Sequence, residues 1–82
     1  MENPSQSITY IFTKEEIEYI KLLLQDYKFF SIAQKYNVSE SSVKRTFSKM
    51  YKKVKVKGKT EFLSKIKEIA TEEELAFLNL GD

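Results

Sequence analysis

The chain has 82 residues, 41% of them hydrophobic, which allows one small domain with a modest core. It contains neither cysteine nor histidine, and this excludes disulfides, the usual zinc sites and histidine acid–base catalysis. No apolar run approaches the roughly 18 residues of a membrane span, and the first residues lack the basic and apolar regions of a signal peptide. We expect an intracellular protein, in a bacterial cytoplasm, that uses no cofactor and no metal.

The charges are distributed unevenly, although the formal net charge is only +2. Eight basic residues and no acidic residue lie between Lys44 and Lys59, whereas acidic residues concentrate at positions 15–18 and 72–74. A positive patch on a nearly neutral protein favours a polyanionic partner. An anionic membrane surface would also attract this patch. Nucleic acid is favoured because the apolar side of the same segment is needed for the core.

The N-terminal segment is predicted to contribute little to the core. Residues 1–8 are mostly polar, include Pro4 and predict a flexible tail ahead of a domain that covers residues 9–80. The apolar residues 8–12 are expected to pack beside the first helix as an extended lead-in, with Tyr10 or Phe12 as a staple residue.

The first helix has a recognisable start. Thr13 and Glu16 form the Thr-x-x-Glu pattern of a capping box, which predicts a helix over about residues 14–25. Its apolar residues recur at helical spacing. The expected core stripe consists of Ile17, Ile20 and Leu24, and Leu22 and Leu23 widen the apolar band.

A short second helix is predicted over about residues 29–36, after a break at positions 26–28. Its inward residues are expected to be Ile32, Ala33 and Tyr36. Asn37 suits the left-handed conformation that ends a helix, Val38 is expected to point back to the core, and Ser39 suits the N-cap of the next helix. Helix, tight turn and helix form a helix-turn-helix, whose second helix enters the DNA major groove.

Residues 39–54 predict a third helix with two different faces. Its apolar residues are separated by four, three and four positions and form one stripe, namely Val43, Phe47, Met50 and Val54. The opposite side is basic, with small hydroxyl groups between the charges, and consists of Ser41, Arg45, Ser48 and Lys52, flanked by Lys44 and Lys49. Such side chains can contact phosphates and base edges. The alternative is an ordinary surface helix whose lysines are only solvated.

A fourth helix follows a basic loop. Gly58 interrupts the loop at positions 54–59, and Thr60 is expected to cap a helix over about residues 61–70. The apolar band of this helix is too wide for one neighbour and consists of Phe62, Leu63, Ile66, Ile69 and Ala70. The surplus apolar surface predicts either a dimer contact or closure of the monomer core.

The C-terminal segment carries a second capping box. Thr71 and Glu74 repeat the Thr-x-x-Glu pattern, which either restarts the fourth helix or begins a short fifth helix over residues 72–80. The side chains expected to pack are Leu75, Leu78 and Phe77. The whole chain therefore predicts an all-α domain of four or five helices.

Six short motifs carry a family resemblance. They are Phe12-Thr13-x-x-Glu16, Ile32-Ala33, Asn37-Val38-Ser39, Val43-Lys44, Tyr51-Lys52-Lys53-Val54-x-Val56-Lys57 and Lys59-Thr60-Glu61. In this order and spacing they resemble the LuxR/GerE-type DNA-binding domain, the output module of many bacterial response regulators and quorum-sensing regulators. The resemblance implies four helices, the third of which reads DNA and the fourth of which pairs with its copy in a dimer.

The resemblance also implies functional residues. The expected DNA-binding residues are Ser41, Ser42, Lys44, Arg45, Ser48, Lys49, Lys52 and Lys53. Those at positions 44, 45 and 48 would face the groove, and those at positions 52 and 53 would lie along the backbone. The two adjacent serines and their amides would hold a phosphate at the positive N-terminus of the third helix. The candidate dimer residues are Leu63, Ile66, Lys67 and Ala70.

Two departures from the family pattern affect these expectations. Asp26 stands where the family usually has glycine, so the first turn should differ or be strained. Phe29 and Phe30 occupy a normally polar helix start. One of them is expected to pack in the core, and an exposed one would mark a protein-binding patch.

The favoured hypothesis is a sequence-specific, DNA-binding transcription regulator that acts as a homodimer. The alternative is a helix-turn-helix adaptor that binds another protein, such as RNA polymerase or a regulator, through the exposed phenylalanine and the acidic segment 71–80. An enzyme is disfavoured because no histidine partners the serines and no glycine-rich phosphate loop is present.

Overall fold

The computed structural model describes residues 7–78, and all regular structure in this part of the chain is helical. The six helices are α1 (Ile8–Ile11), α2 (Lys14–Leu24), α3 (Phe29–Tyr36), α4 (Glu40–Lys53), α5 (Lys59–Ile69) and α6 (Glu72–Phe77). The predicted all-α, helix-turn-helix class is confirmed. The expectations for positions 1–6 and 79–82 lie outside the described residues.

Both predicted capping boxes are present. The Thr13 hydroxyl accepts from the Glu16 amide at 3.1 Å, and the Glu16 carboxylate accepts from the Thr13 amide at 2.8 Å. The corresponding distances for Thr71 and Glu74 are 3.1 and 2.9 Å. Because Ala70 is extended, with φ −71° and ψ 143°, α5 ends there and α6 is a separate helix.

Three helices end in the same way, with a residue other than glycine in the left-handed region. Asp26 has φ 68°, Asn37 has φ 56° and Lys55 has φ 58°. After each of them, the next amide donates to a carbonyl five residues earlier at 3.0 Å, which closes the helix end. Asn37 was predicted in this role. Asp26 adopts the left-handed conformation that glycine would favour, although it carries a Cβ atom. This conformation costs about 1 kcal/mol, so the turn is strained, which is one of the two predicted alternatives.

The N-terminal predictions were correct in part: the apolar segment packs beside the first predicted helix, α2, and Phe12 is extended and buried, but the structure of residues 7–11 differs. The expected extended lead-in is the short helix α1, whose N-cap is Ser7, and Ile8 is only 1% exposed. Ser7 and Ile8 therefore belong to the packed part of the molecule and not to a tail. The reason is tertiary, because the α1 amides bind a carboxylate from the far end of the chain, Glu74.

Two smaller predictions in the connecting segments were also wrong. Thr60 does not cap the fourth helix, because α5 begins at Lys59 and the extended residue Gly58 is its N-cap. Val38 is 42% exposed and does not enter the core. The turn uses its amide, which donates to the Ala33 carbonyl, and leaves its side chain in solvent.

The core is centred on Phe47, which is completely buried in the middle of α4. Its ring stacks on Phe29 of α3 with the centroids 4.9 Å apart. It also lies 5.9 Å from the ring of Tyr19 in α2 and meets Phe62 of α5 edge-on at 6.3 Å. One side chain therefore holds α4 against three other helices.

The predicted core stripes are confirmed in part. In α4, Val43 and Met50 are completely buried together with Phe47. In α2, Ile20 is buried, whereas Ile17 and Leu24 are only partly buried. Leu22 and Leu23, which were expected to widen the apolar band, are buried, and so is Tyr19, which was not predicted. They are buried because α2 packs between other helices and needs more than one apolar face.

Glu74 connects the two ends of the described chain. Besides completing the capping box of α6, its carboxylate accepts hydrogen bonds from the Ser7 hydroxyl and from the Ile8 and Thr9 amides, the latter two at 3.3 and 3.1 Å. Burial raises the pKa of Glu74, but the hydrogen bonds from Ser7, Thr71 and Thr9 outweigh burial and lower it from 4.5 to about 2.

We expect Phe47→Ala to lower the free energy of unfolding by roughly 3–5 kcal/mol, because it leaves a cavity where four helices meet. Urea denaturation followed by circular dichroism measures this loss. Phe30→Ala is the matched control, since Phe30 is 56% exposed and should change stability by less than about 0.5 kcal/mol. Equal effects of the two substitutions would contradict the central role of Phe47.

We expect Glu74→Gln to destabilise the protein by roughly 1–3 kcal/mol at neutral pH, after allowance for solvent screening. Because the folded pKa of Glu74 is depressed, its contribution is present above pH 4.5 and is lost as the pH falls toward about 2. Thermal melts across this range should show a smaller pH dependence for the variant than for the unmodified chain. Glu73→Gln, an exposed change on the same helix, should leave the pH dependence intact.

Candidate nucleic-acid interface

The orientation of α4 follows from its buried stripe. Val43, Phe47 and Met50 face the core, so the opposite side of the helix must face solvent. Ser39 begins the helix, because its hydroxyl accepts from the Ser42 amide at 3.1 Å. The preceding turn at Asn37 holds α3 against α4. The result is a helix-turn-helix with one exposed face on its second helix.

This exposed face carries most of the predicted DNA-binding residues. The exposed members of the set are Ser41, Lys44, Arg45, Ser48, Lys49, Lys52 and Lys53, and Ser42 is half-buried. Arg45, Lys49 and Lys52 form no ion pair with any residue of the described range 7–78. Their charges are therefore available to an external anion.

The N-terminus of α4 is already partly occupied by internal hydrogen bonds. The Ser39 hydroxyl accepts a hydrogen bond from the Ser42 amide and also donates one to the Ser42 hydroxyl at 3.0 Å. The carboxylate of Glu40 lies in the same turn and forms an exposed ion pair with Lys44 at 3.6 Å. Ser41 is therefore better placed than Ser42 to reach a phosphate at this end of the helix.

Lys53 has a partner within the protein. Its ammonium lies 2.7 Å from the Glu16 carboxylate and 5.5 Å from the centroid of the Phe12 ring. Burial raises the pKa of Glu16, but the hydrogen bonds from Lys53 and Thr13 and the charge of Lys53 lower it below 4.5. This contact connects the end of α4 to the start of α2. Lys53 is thus a weaker candidate for DNA contact than Lys52.

The basic surface extends beyond the predicted set. Lys55, Lys57 and Lys59 in the α4–α5 connection are all exposed, and none forms an ion pair within residues 7–78. The sequence signal for them was the run of basic residues without an acidic one. They continue the charge of α4 past its C-terminus and enlarge the candidate interface.

The candidate dimer residues have different environments. Ile66 is completely buried in the monomer core, so its side chain offers no surface to a second chain, and its prediction as a dimer contact was wrong. Leu63 and Ala70 are half-buried against the core, and Lys67 is exposed. Only one edge of the wide apolar band of α5 is exposed, because Phe62 and Ile66 are completely buried and Phe62 packs against Phe47 and Tyr51 of α4.

The two adjacent phenylalanines separate into a core residue and a surface residue. Phe29 stacks on Phe47, whereas Phe30 is 56% exposed at the start of α3. The expectation that one packs in the core is confirmed. Phe30 remains an exposed aromatic side chain.

The family comparison covers most of this architecture. The model of the family described as bacterial regulatory proteins, luxR family, matches residues 10–66. The chain belongs to this family. The family consists of DNA-binding regulators and not of enzymes, so membership indicates a DNA-binding helix-turn-helix transcription regulator. Comparisons with curated proteins and with solved structures gave no match.

The matched segment covers the helix-turn-helix but not the C-terminal helix. It includes α2, α3, α4 and most of α5, and it ends before α6. Among residues 7–78, no helix is long and apolar enough to cross a membrane.

We expect Lys52→Ala to affect mainly DNA binding and Lys53→Ala to affect mainly stability. Lys52→Ala should weaken DNA binding and reduce the slope of log affinity against log salt by about 1, with little change in stability. Lys53→Ala should lower stability by up to about 1 kcal/mol, because Glu16 loses its ion pair, and should affect DNA binding less. Fluorescence anisotropy with duplex DNA and thermal melts measure the two quantities. A larger loss of DNA affinity in Lys53→Ala would restore its predicted role at the backbone.

Proposed function

We propose that this protein is a sequence-specific transcription regulator that inserts α4 into the DNA major groove and binds as a homodimer. One observation carries the proposal, namely the exposed basic face of α4 on a helix whose other face is fixed in the core. A helix held in this way can approach the bottom of a groove without losing its own packing. The major groove admits an α-helix and displays a distinct pattern for each base pair.

The residues of α4 divide by the chemistry that each can provide. Arg45 lies in the middle of the exposed face, where a guanidinium can bind a guanine edge in a bidentate manner. Lys44 and Ser48 lie beside it, and the exposed ion pair of Lys44 with Glu40 is weak enough to open on contact with DNA. Lys49 and Lys52 are suited to phosphates, which fix the register of the helix on the duplex.

Dimerisation through α5 would pair two such helices. The side chains available for this contact are Leu63, Lys67 and Ala70. Two α4 helices would then enter successive major grooves about 34 Å apart and would favour a palindromic site. The cytoplasmic location is part of the same proposal.

The second candidate function is an adaptor that binds RNA polymerase or another regulator with little specific DNA binding. The observation that favours it is the 56% exposure of Phe30, which leaves an aromatic ring at the start of α3 available to another protein. A regulator must bind one DNA sequence specifically, whereas the adaptor need not. A measurement of sequence-specific DNA binding therefore distinguishes the two functions.

The deciding experiment combines selection from a random-sequence DNA pool with anisotropy at several salt concentrations. A regulator should enrich one motif and bind it roughly a thousandfold or more tighter than random duplex. Contacts to about 4–6 phosphates per subunit should give a log–log salt slope near −4 to −5 per subunit, and about twice this slope for a dimer. Weak, salt-sensitive binding without an enriched motif would favour the adaptor.

We expect Arg45→Ala to weaken binding to the selected site by roughly 5- to 150-fold and to weaken random-DNA binding much less. Lys52→Ala is the comparison, because loss of a phosphate contact should reduce both affinities by a similar factor. Anisotropy titrations with both duplexes measure the difference. Equal losses for Arg45→Ala would mean that Arg45 contacts only phosphate.

A further inference from the structure

A groove of about 980 Å³ lies between α1, α2 and α6. This is at the upper end of the range for ligand-binding clefts in proteins. Its apolar lining includes Ile8, Ile17 and the ring of Phe77, which is 49% exposed. Its walls are fixed, because Glu74 ties the amides of α1 to the start of α6.

The rim of the groove is strongly acidic. Glu18 from α2 and Glu72 and Glu73 from α6 are exposed along it, and none of the three has an ion-pair partner among residues 7–78. Lys14 is the one basic residue that lines the groove in the described part of the chain. An apolar floor beneath an acidic rim is complementary to a ligand that is both apolar and positively charged.

Phe77 already contacts a lysine side chain of the same protein. The ammonium of Lys21 lies 4.6 Å from the centroid of its ring. This distance is within the range of a cation–π interaction, which is stronger for a partly desolvated ring. The aromatic residue at the edge of the groove is therefore suited to lysine or arginine stems as well as to apolar side chains.

The groove is separate from the DNA interface. No residue of α4 lines it, and most of its lining lies outside or at the start of the segment that matches the LuxR family. Its acidic rim would repel phosphates, whereas the exposed face of α4 attracts them. DNA and a groove ligand could therefore be bound at the same time.

We infer that this groove is a docking site for a basic amphipathic segment of a partner protein. The segment would place an apolar side chain against Ile17 and Phe77, and its lysine or arginine residues would pair with the acidic rim. This inference goes beyond the proposed DNA-binding function and does not depend on it, since the two sites share no residue.

The test uses the full chain and a fluorescein-labelled leucine–lysine peptide about three helical turns long, with its leucines on one face. The comparison peptides have glutamate in place of lysine, or serine in place of leucine. We expect the leucine–lysine peptide to bind about tenfold more tightly than either, and its affinity to fall with added salt. Equal binding of the three peptides would overturn the inference.

Substitutions of groove residues test whether the peptide binds in the groove. Phe77→Ser, and separately the double change Glu72→Gln with Glu73→Gln, should each weaken peptide binding about fivefold or more. Glu61→Gln is the matched control, because Glu61 is also an exposed acidic residue in the first turn of a helix and does not line the groove. Arg45→Ala should leave peptide binding unchanged, which separates this test from that of DNA binding.

Two results would contradict a partner segment as the occupant. One is unchanged peptide affinity in Phe77→Ser and in the double variant, with circular dichroism showing that both are folded. The other is self-association of the free chain in sedimentation equilibrium that both groove variants abolish. The second result would assign the groove to another copy of the same chain.

Discussion

The burial of Phe47 is the constraint on which the rest of the structure depends. Its ring lies against aromatic side chains of α2, α3 and α5, so α4 is held from three sides by one residue. Because α4 has a period of about 3.6 residues, fixing position 47 inward also directs positions 45, 48, 49 and 52 outward. The packing of Phe47 in the core therefore also sets the orientation of the basic face.

Two glutamates connect local and tertiary structure. Glu16 completes the capping box of α2 and also receives the ammonium of Lys53 from the end of α4. Glu74 completes the capping box of α6 and also binds the first amides of α1. In each case a carboxylate that stabilises a helix start has oxygen lone pairs left over, and a distant donor uses them. A small domain with a modest core gains additional interhelical contacts in this way.

The separation of charge gives the molecule two surfaces of different character. The exposed face of α4 and the following loop carry the basic run, and the groove between α1, α2 and α6 carries acidic residues at its rim. The opposite signs favour different partners and discourage the wrong pairing. The basic surface lies within the segment that matches the LuxR family, whereas α6 lies outside the matched segment.

The sequence by itself determined the features that depend on residues three or four apart. These are the two capping boxes, the buried stripe of α4, the left-handed turn at Asn37 and the helix-turn-helix class, since each is encoded within one or two helical turns. Only the tertiary structure decided whether Ile66 is buried, whether Lys53 is paired and whether residues 8–11 form a helix. The pairing of Lys53 and the helix at residues 8–11 depend on partners 37 and 66 positions away, and the burial of Ile66 depends on how α5 packs in the core. No local pattern specifies such partners.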